Sequence, residues 1–547
     1  MSSLDTMRLN AALAKELGSS LRVSDILKAP TVRDIAALEE HYTEGSSKLR
    51  HHKNRQYYPL TENQRGVYLD WAMHSDTTQY NMPGVYRFAS VPPATLADAL
   101  TKVIDTHDYM KMRLAKVSGN VVQEAHPGEA PVINVETLTD EPAAEFFQQL
   151  VKPFDVLSER LYRANIYSYG GKTWLFLDVH HLICDGLSFG VLFDDLIAAL
   201  RGDEPAKEQI TAYDYALYEK EILSGEEISL AEEYFENLLK GVQAVSYPDS
   251  AEPDGKTNAS VEYKIPRDAI DAYCKTNEVT PGSLLQSAFG VVLKRLTGED
   301  KPLYLMVSNG RTDPRLAETV GMFVRTLPAV YAGEGKVSET ARHYVKATYG
   351  QLQETYAREM VSYARLVEKH GLRGEIMFAY QGGISDEVEG ATAVPLSLDT
   401  AKFPVMVTVT PDKGEYKIVI EYDGMRYAAA DMNVLARAFG TAALSLVQTD
   451  KLKDVRLVDE KETRELTRLG EGRKLERDES ETILSFLQKR VAETPDAPAL
   501  AFREKKFTYR EIDDITNKLA VFLHKNHKIG SGDIVGVMIG RSELMLL

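Results

Sequence analysis

The chain has 547 residues, 44% of them hydrophobic and 27% charged, with a formal net charge of −17 and a pI near 5.3. That length holds about two to four folding units with apolar material for large cores, and the acidic balance argues against nucleic acid or an anionic membrane as the main partner. Two cysteines, Cys184 and Cys274, are too few for a disulfide framework or a zinc cluster. The N-terminus lacks the basic start and apolar core of a signal peptide, and no apolar run is long enough to span a bilayer. The expected location is cytoplasmic, with no membrane partner.

The first segment reads as short helices. Leu9, Leu13 and Leu17 recur at helical spacing with Leu4 and Met7 nearby, and Gly18 is a stop signal. Thr31 followed by Asp34 is a capping signal for a helix carrying Val32, Ile35 and Leu38. About 40 helical residues make a poor core alone, so residues 1–42 are expected to be the tail of a small helical domain. Residues 43–57 are polar and read as a linker.

From Tyr58 to about Val458 strand-like and helix-like segments alternate. TWLFLDV (173–179) is a nearly continuous apolar run, as a strand covered on both faces requires. A helix is expected from Ser188 as N-cap, with Phe189, Leu192, Phe193, Leu196, Ile197 and Leu200 on one face. PVMVTV and YKIVIEY flank the turn TPDKGE and read as a hairpin. The region is long enough for two lobes, and the acidic helical stretch 212–245 is where the chain should cross between them. Residues 459–480 read as a charged, partly helical linker. In 481–547 the order is helix, proline turn, strand, amphipathic helix, and then IVGVMI as a buried strand.

Chemistry concentrates in HHLICDG: His180, His181, Cys184, Asp185 and Gly186, just after the buried strand and just before a helix. Adjacent residues of an extended chain point in different directions, so one histidine can be structural while the other faces a channel. An imidazole titrating near neutrality suits proton transfer with an attacking amine. Asp185, if locked to an arginine, fixes the loop rather than acting as a second base. Gly186 allows either close backbone approach or a tight turn. Against this, histidine pairs are usually structural, no further ligands complete a metal site, and Cys184 in apolar company reads as packing rather than as a nucleophile.

HHLICDGLS resembles the HHxxxDG signature of the condensation-domain superfamily of non-ribosomal peptide synthetases. YPLTENQRGVYLDW (58–71) is similar to the family's opening motif, with Thr61, Gln64, Arg65 and Tyr68 in the expected places. THDYMKMRL (106–114), AYDYALY (212–218), VSNGR (307–311) and VGMFVRTLP (320–328) resemble further motifs, although Arg325 stands where the family usually has Asn. REMVSYARLV (358–367) hardly resembles the motif that should follow.

The resemblance implies an α+β fold: two chloramphenicol-acetyltransferase-like lobes forming a V around a tunnel over 58–458, an N-lobe of about 58–225 and a C-lobe of about 226–458. Residues 1–42 resemble the C-terminal part of a peptidyl-carrier domain. There Ser3 stands where the family carries its phosphopantetheine serine, or else is, with Ser2, a helix N-cap. Residues 481–547 resemble the N-terminal part of an α/β adenylation domain, FTYREI (507–512) being similar to its first core motif. ATP and Mg would serve only the complete adenylation domain, whose phosphate loop lies beyond Leu547.

The implied reaction is amide formation between a donor acyl thioester and an acceptor aminoacyl thioester, both on 4'-phosphopantetheine arms of partner carrier domains. His181 would position or deprotonate the amine, His180 would serve loop structure, Arg311 would hold Asp185, and an amide near Gly186 would meet the oxyanion. No metal and no cofactor of the condensation domain itself are implied. Epimerisation, ester formation and a catalytically silent docking role are the alternatives. The order carrier–condensation–adenylation argues against an epimerase, and the intact histidine pair against a heterocyclisation domain.

Overall fold

A computed structural model describes Leu9, Leu13, Leu21, Ile26 and residues 31–41, 49–381, 390–396, 401–473, 478 and 480–547. It falls into two compact units, Met1–Asp459 and Glu460–Leu547.

In the first unit, Thr31 caps the helix Val32–His41: its hydroxyl accepts the Asp34 amide at 3.2 Å. Ile35 is buried with Leu21 and Ile26, and Leu9 and Leu13 pack on that cluster. Ser3 and most of the first helical stretch lie outside the described residues. The chain read as a linker is partly docked: Leu49 is buried, and His51 and the backbone of His52 bond to Asp214 at 3.0 and 2.8 Å.

The first lobe is built on a five-stranded sheet in the order Ala391–Ala393, Asn81–Phe88, Lys172–His180, Tyr162–Tyr169, Ile133–Thr137. Only the last pair is parallel. The strand Lys172–His180 is buried along nearly its whole length because both faces are covered. Leu175, Leu177 and Val179 join the core under the helices Pro93–Thr106 and Gly186–Arg201, and Trp174 and Phe176 join Phe147 and Tyr167 on the other side.

The second lobe has a seven-stranded mixed sheet, ordered Arg325–Val330, Pro302–Ser308, Ile376–Tyr380, Val405–Asp412, Glu415–Tyr422, Ala259–Pro266, with Gln243–Ala244 also paired to Pro302–Ser308. Val405–Asp412 and Glu415–Tyr422 form the expected hairpin, turning at Gly414 with φ 80°. The helices Pro281–Thr297, Ala341–Tyr356 and Ala429–Leu446 cover one face of this sheet.

The chain crosses between lobes through the helices Ala212–Ile222 and Glu226–Leu238. Tyr213 and Tyr215 belong to the first core, and Phe235 packs on the underside of the second sheet with Leu303 and Leu305. The lobes are not divided cleanly at 225/226. Leu316, Val320 and Phe323 are buried in the first core, and Ala391–Ala393 adds an edge strand to the first sheet. Burying apolar side chains and pairing an open sheet edge both favour this interleaving.

In the second unit, Thr482 caps the helix Ile483–Glu493, Pro498–Phe502 and Lys505–Thr508 form a hairpin, and Thr508 with Glu511 caps the helix Tyr509–His527. IVGVMI is not a buried strand here. Residues 534–539 carry no regular structure, and Ile534 and Met538 are each 98% exposed. A strand apolar on both faces needs neighbours on each side, and the described residues of this unit supply only that two-stranded sheet.

Candidate active site

The site forms where the strand Lys172–His180 ends. The His180 amide donates to the Leu161 carbonyl and the His181 amide to the Tyr80 carbonyl, each at 2.8 Å, so the backbone of both histidines is fixed by neighbouring chain. The His180 ring is buried, lies edge-on to Phe154 with centroids 5.6 Å apart, and accepts the Leu182 amide on Nδ1 at 3.2 Å. Burial, then the charges of His181 and Arg163, push its pKa down to about 3. The ring is buried and unprotonated at neutral pH.

His181 differs. Its side chain keeps partial solvent access, while its Nδ1 is buried with no hydrogen-bond partner among the described residues. Burial first, then the Lys402 ammonium, lower its pKa to about 4, against an opposing pull from Asp185. That lies well below the near-neutral value expected from the sequence, because burial and the Lys402 charge outweigh Asp185; the imidazole is unprotonated at neutral pH.

Asp185 is the N-cap of the helix Gly186–Arg201. The cap expected at Ser188 lies instead at Asp185, because the carboxylate accepts the Ser188 amide at 2.8 Å and so starts the helix earlier. Arg311 reaches the same carboxylate from the second lobe, Nη1 to Oδ2 at 2.8 Å and Nη2 to Oδ1 at 3.2 Å. The Phe323 and Val324 amides add 2.9 and 3.2 Å contacts to Oδ2. Burial opposes the charge, but Arg311 and these donors outweigh it and hold Asp185 below the usual carboxylate range. Arg311 is itself fully buried, donates to the carbonyls of Leu316 and Thr319, and stacks on Phe323 at 4.4 Å. The structure thus brings Asp185 and Arg311 together and ties the histidine loop to the opposite lobe.

Gly186 is exposed, its φ is not positive, and a Cβ there would meet nothing within 4 Å. The protein's own packing does not demand a glycine, which leaves the open space above it. Cys184 is fully buried, and burial raises its thiol well above the ordinary value, so it is no nucleophile at neutral pH. Among the described residues no cluster of His, Cys, Asp and Glu forms a metal site.

The sequence reading noted Arg325 but not its partners, and it missed Lys402. Arg325 is buried; its Nη2 donates to the Tyr215 hydroxyl and to Glu219, both at 2.6 Å, and its Nη1 donates to the Glu359 carbonyl at 3.1 Å. Glu219 in turn accepts the Glu62 amide at 2.7 Å. An arginine inside the apolar run VGMFVRTLP must find a distant acid, and that was the available signal. The other is Lys402, on the chain leading into Val405–Asp412, whose charge reaches His181. Nothing in its local sequence marked it.

Residues 54–467, well over half of the chain, match the family model for the condensation domain. The chain belongs to the condensation-domain family. Residues 1–38 match the phosphopantetheine attachment site family and residues 487–547 the AMP-binding enzyme family, so carrier, condensation and adenylation segments follow in the order of a non-ribosomal peptide synthetase. Surfactin synthase subunit 2 of Bacillus subtilis (strain 168) is 25% identical over 581 residues, and tyrocidine synthase 2 of Brevibacillus parabrevis 24% over 574 residues. Each covers 100% of this chain, which spans only 16% of either relative.

Among solved structures, the X-domain in complex with OxyB from teicoplanin biosynthesis has a TM-score of 0.66 at 17% identity, covering 77% of this chain and 100% of its own. A holo four-domain non-ribosomal peptide synthetase bound to AMP and glycine has 0.64 at 17%, covering 90% and 40%. The epimerization domain from the third module of tyrocidine synthetase B has 0.61 at 18%, covering 74% and 99%. These likenesses establish the α+β condensation fold with its two chloramphenicol-acetyltransferase-like lobes.

Proposed function

We propose that this condensation domain forms an amide between a donor acyl or peptidyl thioester and an acceptor aminoacyl thioester, each delivered on the phosphopantetheine arm of a carrier domain. The observation that carries this is His181: neutral, partly accessible, and fixed beside a carboxylate that is fully engaged elsewhere. The acceptor amine forms the new C–N bond at the donor carbonyl, its proton passes to the imidazole of His181, and the C–S bond breaks. The departing thiolate takes that proton, which closes the balance. Holding both reactants at one place supplies much of the acceleration. Asp185 and Arg311 act as positioning residues, and an amide at the Gly186 end of the helix meets the oxyanion.

The same reading assigns residues 1–42 to a carrier, 58–458 to the condensation domain and 481–547 to an adenylation domain, with linkers at 43–57 and 459–480. Among the described residues no helix is long and apolar enough to cross a membrane; with two buried free thiols, a cytoplasmic site of action is proposed. The test supplies the full chain with one donor and one acceptor loaded on separate carriers and identifies the product by mass spectrometry. An amide joined on the acceptor arm is expected. A product with inverted α-carbon and no new bond, or an ester, would replace this reading with epimerisation or ester formation.

A further inference from the structure

Arg325 opens the strand Arg325–Val330, where it pairs in register with Ser308. Its side chain is 2% exposed, as is that of Glu219, its ion-pair partner on the helix Ala212–Ile222. The guanidinium is shared among the Tyr215 hydroxyl, the Glu219 carboxylate and the Glu359 carbonyl. Ser308 in turn donates its hydroxyl to the Glu359 carboxylate, and the second Glu219 oxygen accepts the Glu62 amide at the start of the helix Glu62–Met73. Arg325 therefore ties a strand of the second lobe to the crossing helix and, through Glu219, to the first lobe. A planar fork spans such a set of acceptors where a single ammonium does not.

The two residues just before Arg325 are the ones that reach the histidine loop. The Phe323 and Val324 amides donate to Asp185 Oδ2 at 2.9 and 3.2 Å, and the Val324 carbonyl accepts Asn63 Nδ2 at 2.8 Å. On its other side this backbone has little room. A Cβ on Gly310 would lie 1.9 Å from the Phe323 carbonyl oxygen and 3.5 Å from Arg325 Cγ. Asp185 caps the helix Gly186–Arg201 and closes the loop that His181 begins. Consecutive residues thus connect the buried guanidinium, by way of two amides, to the carboxylate that fixes the loop. Arg311 grips Asp185 with its own side chain; Arg325 acts on it through the backbone it anchors.

We propose that Arg325 is a positioning residue for the reaction at His181: it anchors the Phe323 and Val324 amides that hold Asp185 and, with Asp185, the histidine loop. The inference rests on the amide-forming reading above and adds a residue to it.

Arg325→Met combined with Glu219→Gln removes both buried charges together, and the glutamine oxygen can still accept the Glu62 amide. The full chain carrying this pair is compared with wild type, with circular dichroism confirming that both are folded. At saturating loaded carriers the single-turnover rate should fall by roughly tenfold or more, as expected when a reacting group is displaced. The carrier concentration that gives half-maximal rate should stay within about twofold. Amide hydrogen exchange, read by mass spectrometry, should quicken over 181–186 and 320–325 and remain as in wild type over the hairpin 405–422. A purely structural arginine would instead quicken exchange throughout the domain without slowing the folded enzyme. That result, an unchanged rate, or a slowed rate with wild-type exchange over 181–186 overturns the proposal. Should the pair not fold, Arg325→Lys keeps the charges balanced: it should lose the Glu359 carbonyl and react severalfold more slowly, and a wild-type rate overturns the proposal. Wild type that yields no amide would reject the amide-forming reading, whereas the exchange comparison needs no product and reads Arg325 either way.

Discussion

Six donors converge on the carboxylate of Asp185, and two of them belong to one arginine from the other lobe. Such a buried pair contributes little net attraction but makes the loss of one partner expensive, because the other charge stays buried alone. Arg311→Met should therefore destabilise the domain by about 3–5 kcal/mol in a urea titration. Asp185→Asn combined with Arg311→Met should lose clearly less than that. Equal losses in the single and double variants would mean that the pair is not a coupled unit. His181, by contrast, has a buried Nδ1 with no partner among the described residues, and its substitution should leave the urea midpoint nearly unchanged.

At the scale of elements, the junction of a buried strand and a capped helix aims the histidines, and its partner is the turn after Pro302–Ser308. Gly310 has φ 67°, and a Cβ there would lie 1.9 Å from the Phe323 carbonyl oxygen. Gly310→Ala should cost at least about 2 kcal/mol and displace Arg311, lowering turnover; circular dichroism melting and the amide assay together read this. A variant with wild-type stability and rate would show the turn to be adaptable. Much of this arrangement was legible in sequence. The apolar run TWLFLDV announced a strand covered on both faces, and the alternation of YKIVIEY its hairpin. The helix start was misplaced at Ser188 because a carboxylate shared between a cap and a distant arginine looks, in sequence, like either alone. Arg325 acts across long stretches of chain, so local pattern could not disclose its partners. IVGVMI was misread because an apolar run specifies burial only where neighbouring strands exist to receive it.

Across the whole molecule, the two lobes are interlocked rather than merely adjacent: Ala391–Ala393 extends the first sheet, and Val320 donates its amide to Glu208 at 2.9 Å. Glu208 also accepts from buried His107, whose other ring nitrogen meets Asp195, both at 2.7 Å. Burial disfavours the imidazolium, but the two carboxylates outweigh it and raise the pKa from 6.5 to about 9. A raised basic pKa stabilises the fold fully below the unfolded value and loses its effect as pH climbs through the folded value. Wild type should thus lose up to about 3 kcal/mol between pH 6.5 and 9.5 relative to His107→Gln. Parallel pH profiles of the urea midpoint in the two proteins would remove His107 from that role.

The most direct measurement is single-turnover amide formation by the full chain and its His181→Ala variant, with donor and acceptor carriers loaded and circular dichroism confirming that both are folded. Loss of at least about a hundredfold in rate is expected, the scale of a positioned proton acceptor. An equal rate in the folded variant would contradict the assignment of the chemistry to His181.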